Sequence, residues 1–384
     1  MSYLKFMIKK LTNNRYNIVV LILILLMVGA VLYFNVNAKK YLGHLEQLES
    51  SLSERKEKLA EFTNEIQSKE KGGEEYSLIQ ENIDFTKQLI EQDETNIKLY
   101  KQGKWSESYS YQLDRMKMDK EIVSKNSQNY GNDLLPAIER EIKLFEYLKD
   151  KNLEKDTYRA VQGINFTTEY WHYVLPVSVT FLFIFLLSNT YTERFKEKID
   201  ISLLYPYRRS QIIFQDICLG VLVSFSLFVV SIFFAFVFSS LISGIGSFEY
   251  PYNYFSSDGT LSFVSVSAVL FPAMLMQMLV FVICVMWIYV VALLIKNQLT
   301  TLLIALLMIL GSYLVVNIAV PFHKIAQFIP FTYINAIGVV SGEFAHSIHN
   351  YHLTFEYGMI ILMIYFVLIL GLIWILEQIN KTMK

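Results

Sequence analysis

Apolar residues gather in long, nearly charge-free blocks along the chain. Blocks over residues 17–36, 171–191, 211–243, 266–295, 299–320 and 355–376 are each long enough to cross a hydrocarbon core of about 30 Å. The pattern predicts six transmembrane helices. The third and fourth blocks exceed what one crossing needs and predict tilted helices. Pro272 predicts a kink in the fourth. The first block is too long for the apolar core of a signal peptide, and no small-residue cleavage pattern follows it, so a retained helix is expected.

Between the first two blocks, residues 37–170 are rich in Glu, Lys, Gln and Ser. Leu42, Leu45, Leu48, Leu52, Leu59, Phe62 and Ile66 recur at helical intervals. Gly72 and Gly73 stop that stripe, and Ile79, Ile83, Ile90 and Ile97 carry a second. Two such helices predict an antiparallel hairpin of coiled-coil type. Gly103 breaks the second helix. Trp105, Tyr109, Leu113, Met116 and Ile122 predict a third. A fourth runs from Pro136, a first-turn proline, to Lys151, with Ile138, Ile142, Phe145 and Leu148 inward. The expected fold is an all-α integral membrane protein: six transmembrane helices plus a helical, coiled-coil-like extracellular domain.

Composition agrees with a membrane protein: 53% of the 384 residues are hydrophobic and 15% aromatic. Net charge is −1, which gives no sign of a nucleic-acid partner. Basic residues set the direction. Lys5, Lys9, Lys10 and Arg15 precede span one. Arg194, Lys196, Lys198, Arg208 and Arg209 follow span two. Lys296 follows span four, and Lys381 and Lys384 end the chain. The loop 244–260 has no Lys or Arg, and 317–354 has only Lys324. Both termini are therefore expected in the cytoplasm and 37–170 outside. Residues 1–16 read as a cytoplasmic basic segment. Tyr3, Leu4, Met7, Ile8 and Leu11 share a helical face suited to the inner leaflet. Cys218 and Cys284 lie inside apolar runs and suggest neither disulfide nor metal. An external domain without cysteine fits a bacterium with a single membrane.

Catalytic patterns are missing from the sequence. There is no Walker-type loop, no HExxH and no GxSxG. His323, His346, His349 and His352 cluster near span six, but no fourth ligand accompanies the HSIHNYH spacing, so no metal is expected. Asp216, Gln277 and Asn317 are strong polar groups near or within the spans. They are candidates for a pathway or for helix packing. Midplane carboxylates are scarce, which disfavours an ion-driven carrier and points to an energy source on another chain.

The residues then resemble a known family. Six spans with both ends inside, the charged stretch ERFKEKIDISLLYPYRRSQIIFQD after span two, and IPFTYINAIGVVSGEF before span six resemble permease subunits of ABC exporters of the ABC-2 type. The large insert between spans one and two is similar to variants from Gram-positive bacteria. The other exporter class with a large external domain here has four spans. The resemblance implies a coupling loop over 192–210 that docks on a separate cytoplasmic ABC ATPase, with ATP and Mg held by that partner and no cofactor in this chain. Glu193, Arg194, Lys196, Glu197, Leu203, Leu204, Tyr205, Pro206, Arg208 and Arg209 would form the docking segment. Ile199, Leu203 and Leu204 would anchor a short helix there that Pro206 ends. Residues 321–352 would be re-entrant or interfacial at the outer leaflet, with Tyr333 and Asn335 in the family's aromatic-Tyr-Asn pattern. A second permease copy or homologue would complete the transporter in the plasma membrane. The substrate would be amphipathic: an antimicrobial peptide, a lipid or a hydrophobic drug. Two alternatives remain at this point. One is a non-transporting sensor or scaffold using the external helices; the other is an ion-coupled carrier. The insert itself reads equally as a substrate-capturing or gating element and as a spacer or dimerisation stalk.

Overall fold

The computed structural model describes residues 7–9, 15–69, 73–125, 134–196, 199–200 and 208–382. Among these the chain is predominantly helical, and six helical segments are long and apolar enough to cross a membrane. Helix α1, Arg15–Leu42, is the first. Val20, Ile24, Val28 and Leu32 are spaced by four, so they share one face; they are buried, while Ile18, Leu26, Tyr33 and Phe34 are exposed. That narrow stripe docks α1 onto the long helix Arg209–Ser243.

Only Gly43 separates α1 from α2, His44–Ile66. Helix α3 is Glu74–Lys101, α4 is Trp105–Lys125 and α5 is Leu134–Lys151. Glu49 near the start of α2 pairs with Lys101 at the end of α3, while Arg55 and Lys56, further along α2, pair with Asp93 and Glu94, earlier on α3, so the two helices are antiparallel. The break after α3 falls at Gly103, whose φ of +75° suits glycine. At the base, Tyr100, Tyr109, Leu113, Ile142, Phe145 and Leu148 form a separate small core. The His44 ring sits among Tyr100, Tyr109 and Phe145 at centroid distances of 5.1, 6.0 and 5.5 Å.

Helix α6, Gly163–Tyr173, leads into the second crossing, α7, Leu175–Thr192. Helix α8 is Arg209–Ser243 and α9 is Val266–Ile295. Helix α9 is the central post: nearly every residue from Val280 to Ala292 is buried, against α7, α8, the helix Phe355–Thr382 and other neighbours. The fifth crossing joins α10, Gln298–Leu306, a π turn, Leu307–Gly311, and α11, Ser312–Ile318. Then come α12 (Val320–His323), 3₁₀ turns at Ala326–Phe328 and Pro330–Ile334, α13 (Ala336–Val340) and α14 (Glu343–Ser347). Helix α15, Phe355–Thr382, is the last crossing. The end that carries the α7–α8 and α9–α10 connections is the loop face. The opposite end is the insert face.

The structure departs from the sequence expectations in two places. Two short antiparallel ladders interrupt an otherwise helical chain: β1 (Phe195–Lys196) with β2 (Ile199–Asp200), and β3 (Pro251–Phe255) with β4 (Leu261–Ser265). Tyr252 pairs with Val264 and Asn253 with Phe263, because a segment rich in aromatic residues suits a pleated ribbon better than a helix. Gly259, at φ +79°, lies in its turn. Next, Ile199 lies on β2 and not in a short helix. Pro272 lies inside α9, which is one continuous helix from Val266 to Ile295. Residues 7–9 are helical, with Met7 buried and Ile8 exposed; the rest of the amphipathic segment 1–16 lies mostly outside the described residues.

Candidate functional site

At the loop face, α7 ends with the Thr192 hydroxyl bonded to the Ser188 carbonyl at 2.6 Å. Glu193 stays exposed, and Arg194 turns into the bundle. Its Nη1 donates to Asp216 Oδ2 at 2.8 Å and to Tyr289 Oη at 3.2 Å. The guanidinium also lies over the Phe195 and Tyr289 rings, at 4.7 and 5.2 Å. Tyr191 Oη donates to the Asp216 carbonyl at 3.0 Å, and the Tyr191 ring meets Tyr289 edge-on at 5.3 Å. Lys296, just after α9, reaches the other side of this group, 5.8 Å from the Phe195 ring. One planar cation therefore joins the end of α7, the first turns of α8 and the last turns of α9. Arginine suits this because its fork donates in fixed directions while its face stacks on aromatics.

Both charges are largely withdrawn from solvent: the Arg194 side chain is 12% exposed and that of Asp216 3%. Such a pair is tolerated because each partner compensates the other. Gly220 makes the close approach possible. A Cβ there would lie 1.9 Å from Tyr191 Oη and 2.5 Å from Val285 Cγ1.

Of the remaining docking residues, Lys196 lies on β1. Arg208 precedes α8, its backbone N–H donating to Gln211 Oε1 at 3.2 Å. Arg209 opens α8 and is half-buried. Glu197, Leu203, Leu204, Tyr205 and Pro206 lie outside the described residues.

The polar candidates separate. Gln277 is buried and accepts from Trp171 Nε1 at 3.1 Å, which ties α9 to α6. Asn317 is exposed, and its Nδ2 donates to the Tyr313 carbonyl within its own helix at 2.8 Å. Tyr333 is fully buried and donates to the Gln327 carbonyl at 2.7 Å. Asn335 caps α13 by accepting from the Gly338 N–H at 3.1 Å. The last two hold the short-helix segment 319–354 together. His346 stacks on Phe255 at 4.2 Å, and among the described residues no three His, Cys, Asp or Glu side chains are grouped as metal ligands.

The insert face holds a constellation that sequence reasoning did not single out. Asp156 is buried, and its carboxylate accepts from the backbone N–H of Thr157, Val161 and Gln162 and from Asn165 Nδ2, at 2.8 to 3.3 Å. Its own N–H donates to Tyr250 Oη at 3.0 Å. Tyr109 Oη donates to the Leu153 carbonyl at 2.9 Å and accepts from the Lys155 N–H at 2.8 Å. Residues 153–157 are thus the joint between the insert and the membrane helices. In the sequence they look like one more charged stretch, because their partners lie far along the chain.

Beside this joint is a chamber of about 790 Å³ between α1, the insert, α6 and the β3–β4 ribbon. Burial pushes the Glu169 carboxyl on its wall up to about 7, against the opposing hydrogen bond from the Ala160 N–H at 2.7 Å. No protein-family model matches the chain, and no curated protein or solved structure matches it either.

Proposed function

We propose that this chain is the membrane-spanning subunit of an ATP-driven exporter of the ABC-2 type, with the loop face in the cytoplasm. The carrying observation is the Arg194 junction. It couples a charged interhelical connection to α7, α8 and α9 through one side chain. A partner ATPase that grips this connection would move three helices with it, α9 included, the central post of the bundle. The chain supplies no nucleotide-binding loop, so ATP and Mg belong to the partner. A second permease, identical or homologous, completes the pathway, and the insert stands outside the plasma membrane. The substrate is amphipathic.

The test is purification of this chain together with a cytosolic ABC ATPase from the same organism. The expected result is a stable complex whose ATP hydrolysis rises when both are reconstituted. Arg208→Glu combined with Arg209→Glu should insert normally yet recover at least tenfold less ATPase. Unchanged assembly and hydrolysis in that variant would overturn the docking assignment.

A further inference from the structure

The chamber at the insert face has a composition that selects for charge. Its volume, about 790 Å³, lies in the range of small-molecule sites. Four carboxylates line it, and they fall into two groups. Glu141 is paired with Lys155 at 2.9 Å, and Asp156 is saturated by backbone N–H groups and Asn165. Glu169 and Glu343 differ. Among the described residues, no Lys or Arg lies within ion-pair distance of either; Glu343 has only Tyr173 Oη at 3.0 Å and the His172 ring at 3.8 Å. Arg159 also lines the chamber; it is exposed and acts on Glu169 only from beyond ion-pair distance, and Arg140 donates to Asn253 Oδ1 at 3.2 Å.

Two further features point to an N–H-bearing cation. Tyr158, Tyr173 and Tyr252 line the same chamber, and aromatic faces attract cations. Asn165, 6% exposed, also lines it, and its Oδ1 has no hydrogen-bond partner. Its Nδ2 must face the Asp156 carboxylate, which leaves the amide oxygen as a waiting acceptor. The wall formed by Val31 and Phe166 is apolar, and α1 exposes Tyr33 and Phe34 at the same level. A ligand with an apolar body thus has a route from the lipid edge.

We infer that this chamber binds the ammonium or guanidinium end of a cationic amphiphile, with Glu169, Glu343 and Asn165 reading the head group and the tyrosines enclosing it. The inference deepens the exporter reading by naming the substrate's charge, and only the word substrate rests on that reading; binding itself needs no ATPase.

The test uses the full chain in nanodiscs of zwitterionic phosphatidylcholine. The probes are dansyl-cadaverine, an ammonium, and dansyl-6-aminohexanoate, a carboxylate with the same fluorophore. Wild-type protein should give saturable fluorescence enhancement with the ammonium above that of empty discs, and none with the carboxylate. Glu169→Gln with Glu343→Gln should weaken ammonium binding at least tenfold. Equal responses to both probes, no saturable signal, or unchanged affinity in the double variant would overturn the assignment. The two-probe comparison on wild type stands even if the double variant misfolds. Ammonium binding that leaves the hydrolysis of a reconstituted ATPase complex unchanged would keep the site and remove its role as the exporter's substrate site. Stimulated export without ammonium binding would do the reverse.

Discussion

The two ends of the membrane bundle are tied in different ways. At the insert face, residues 153–157 are held by many neutral and charge-assisted hydrogen bonds spread over Tyr109, Tyr250, Asn165 and successive backbone N–H groups. Helix α5 adds contacts to the ribbon: Arg140 to Asn253, and Lys143 to the Leu261 carbonyl at 3.3 Å. At the loop face, Arg194 and its contacts with Asp216, Tyr289 and Phe195 hold α7, α8 and α9 together. A distributed joint resists rotation, since displacing it breaks many bonds at once. A joint centred on one side chain is a pivot, able to pass movement to every helix it touches. On the proposed function, the insert would be the rigid end and the charged connection the moving end.

The largest expected effect tests the pivot. Asp216→Ala leaves Arg194 buried without its carboxylate, and should cost roughly 3–5 kcal/mol of stability. Replacing both residues by leucine should recover most of it, read as thermal midpoints of the detergent-purified protein. A double variant no more stable than Asp216→Ala would remove the ion pair as the reason for the loss.

Glu169 gives a pH signature to the insert face. Its folded carboxyl sits near 7 against an ordinary value of 4.5, pushed up by burial and by the nearby Asp156, with Arg159 and the Ala160 N–H opposing. The raised value means the native state holds its proton after the unfolded chain has released it. The full contribution to stability is present below about 4.5 and is lost as pH rises through about 7. Glu169→Gln should therefore gain up to about 3 kcal/mol over wild type at pH 8 and nothing at pH 4. Parallel stability–pH curves for the two proteins would contradict this.

Tyr109→Phe removes one hydroxyl that serves both the Leu153 carbonyl and the Lys155 N–H. Two backbone groups then lose their partner, at about 1–3 kcal/mol. Because the joint is distributed, hydrogen exchange should rise locally at 153–157 while the loop face stays protected. Exchange that rises equally at both faces would refute the separation of the two ends.

The smallest effect lies on the insert hairpin. Lys56→Ala loses an ion pair to Glu94 in which both side chains are about half exposed, so the thermal midpoint should shift by no more than about 0.5 kcal/mol equivalent. A loss several times larger would mean that the hairpin's exposed pairs hold it upright.

Six apolar runs were readable as spans because lipid demands length and composition, and both are local properties. The breaks at Gly103 and after Ile66 were legible for the same reason. The short-helix segment 319–354 was visible only as a gap in the hydropathy pattern. Its order comes from Tyr333, Asn335 and Asn350, whose Nδ2 reaches the His323 carbonyl and Gln327 Oε1, both at 2.6 Å. Gly342 shows the same limit: at φ +71° a Cβ there would lie 2.1 Å from the Phe255 carbonyl oxygen, a contact set by the ribbon. Asn317 is exposed with its amide bonded back to the Tyr313 carbonyl, a direction that hydropathy alone does not give.

By itself, the sequence determined six helices long and apolar enough to cross a membrane, and the helices of the insert. Each depends on the periodicity and hydropathy of neighbouring residues. Only the tertiary structure decided that Arg194 meets Asp216 and Tyr289, that Asp156 becomes the joint, and that Glu169 and Glu343 line one chamber with no Lys or Arg within ion-pair distance among the described residues. Those pairings join residues up to 174 positions apart in number, and it is packing around α9, not local pattern, that brings them within reach.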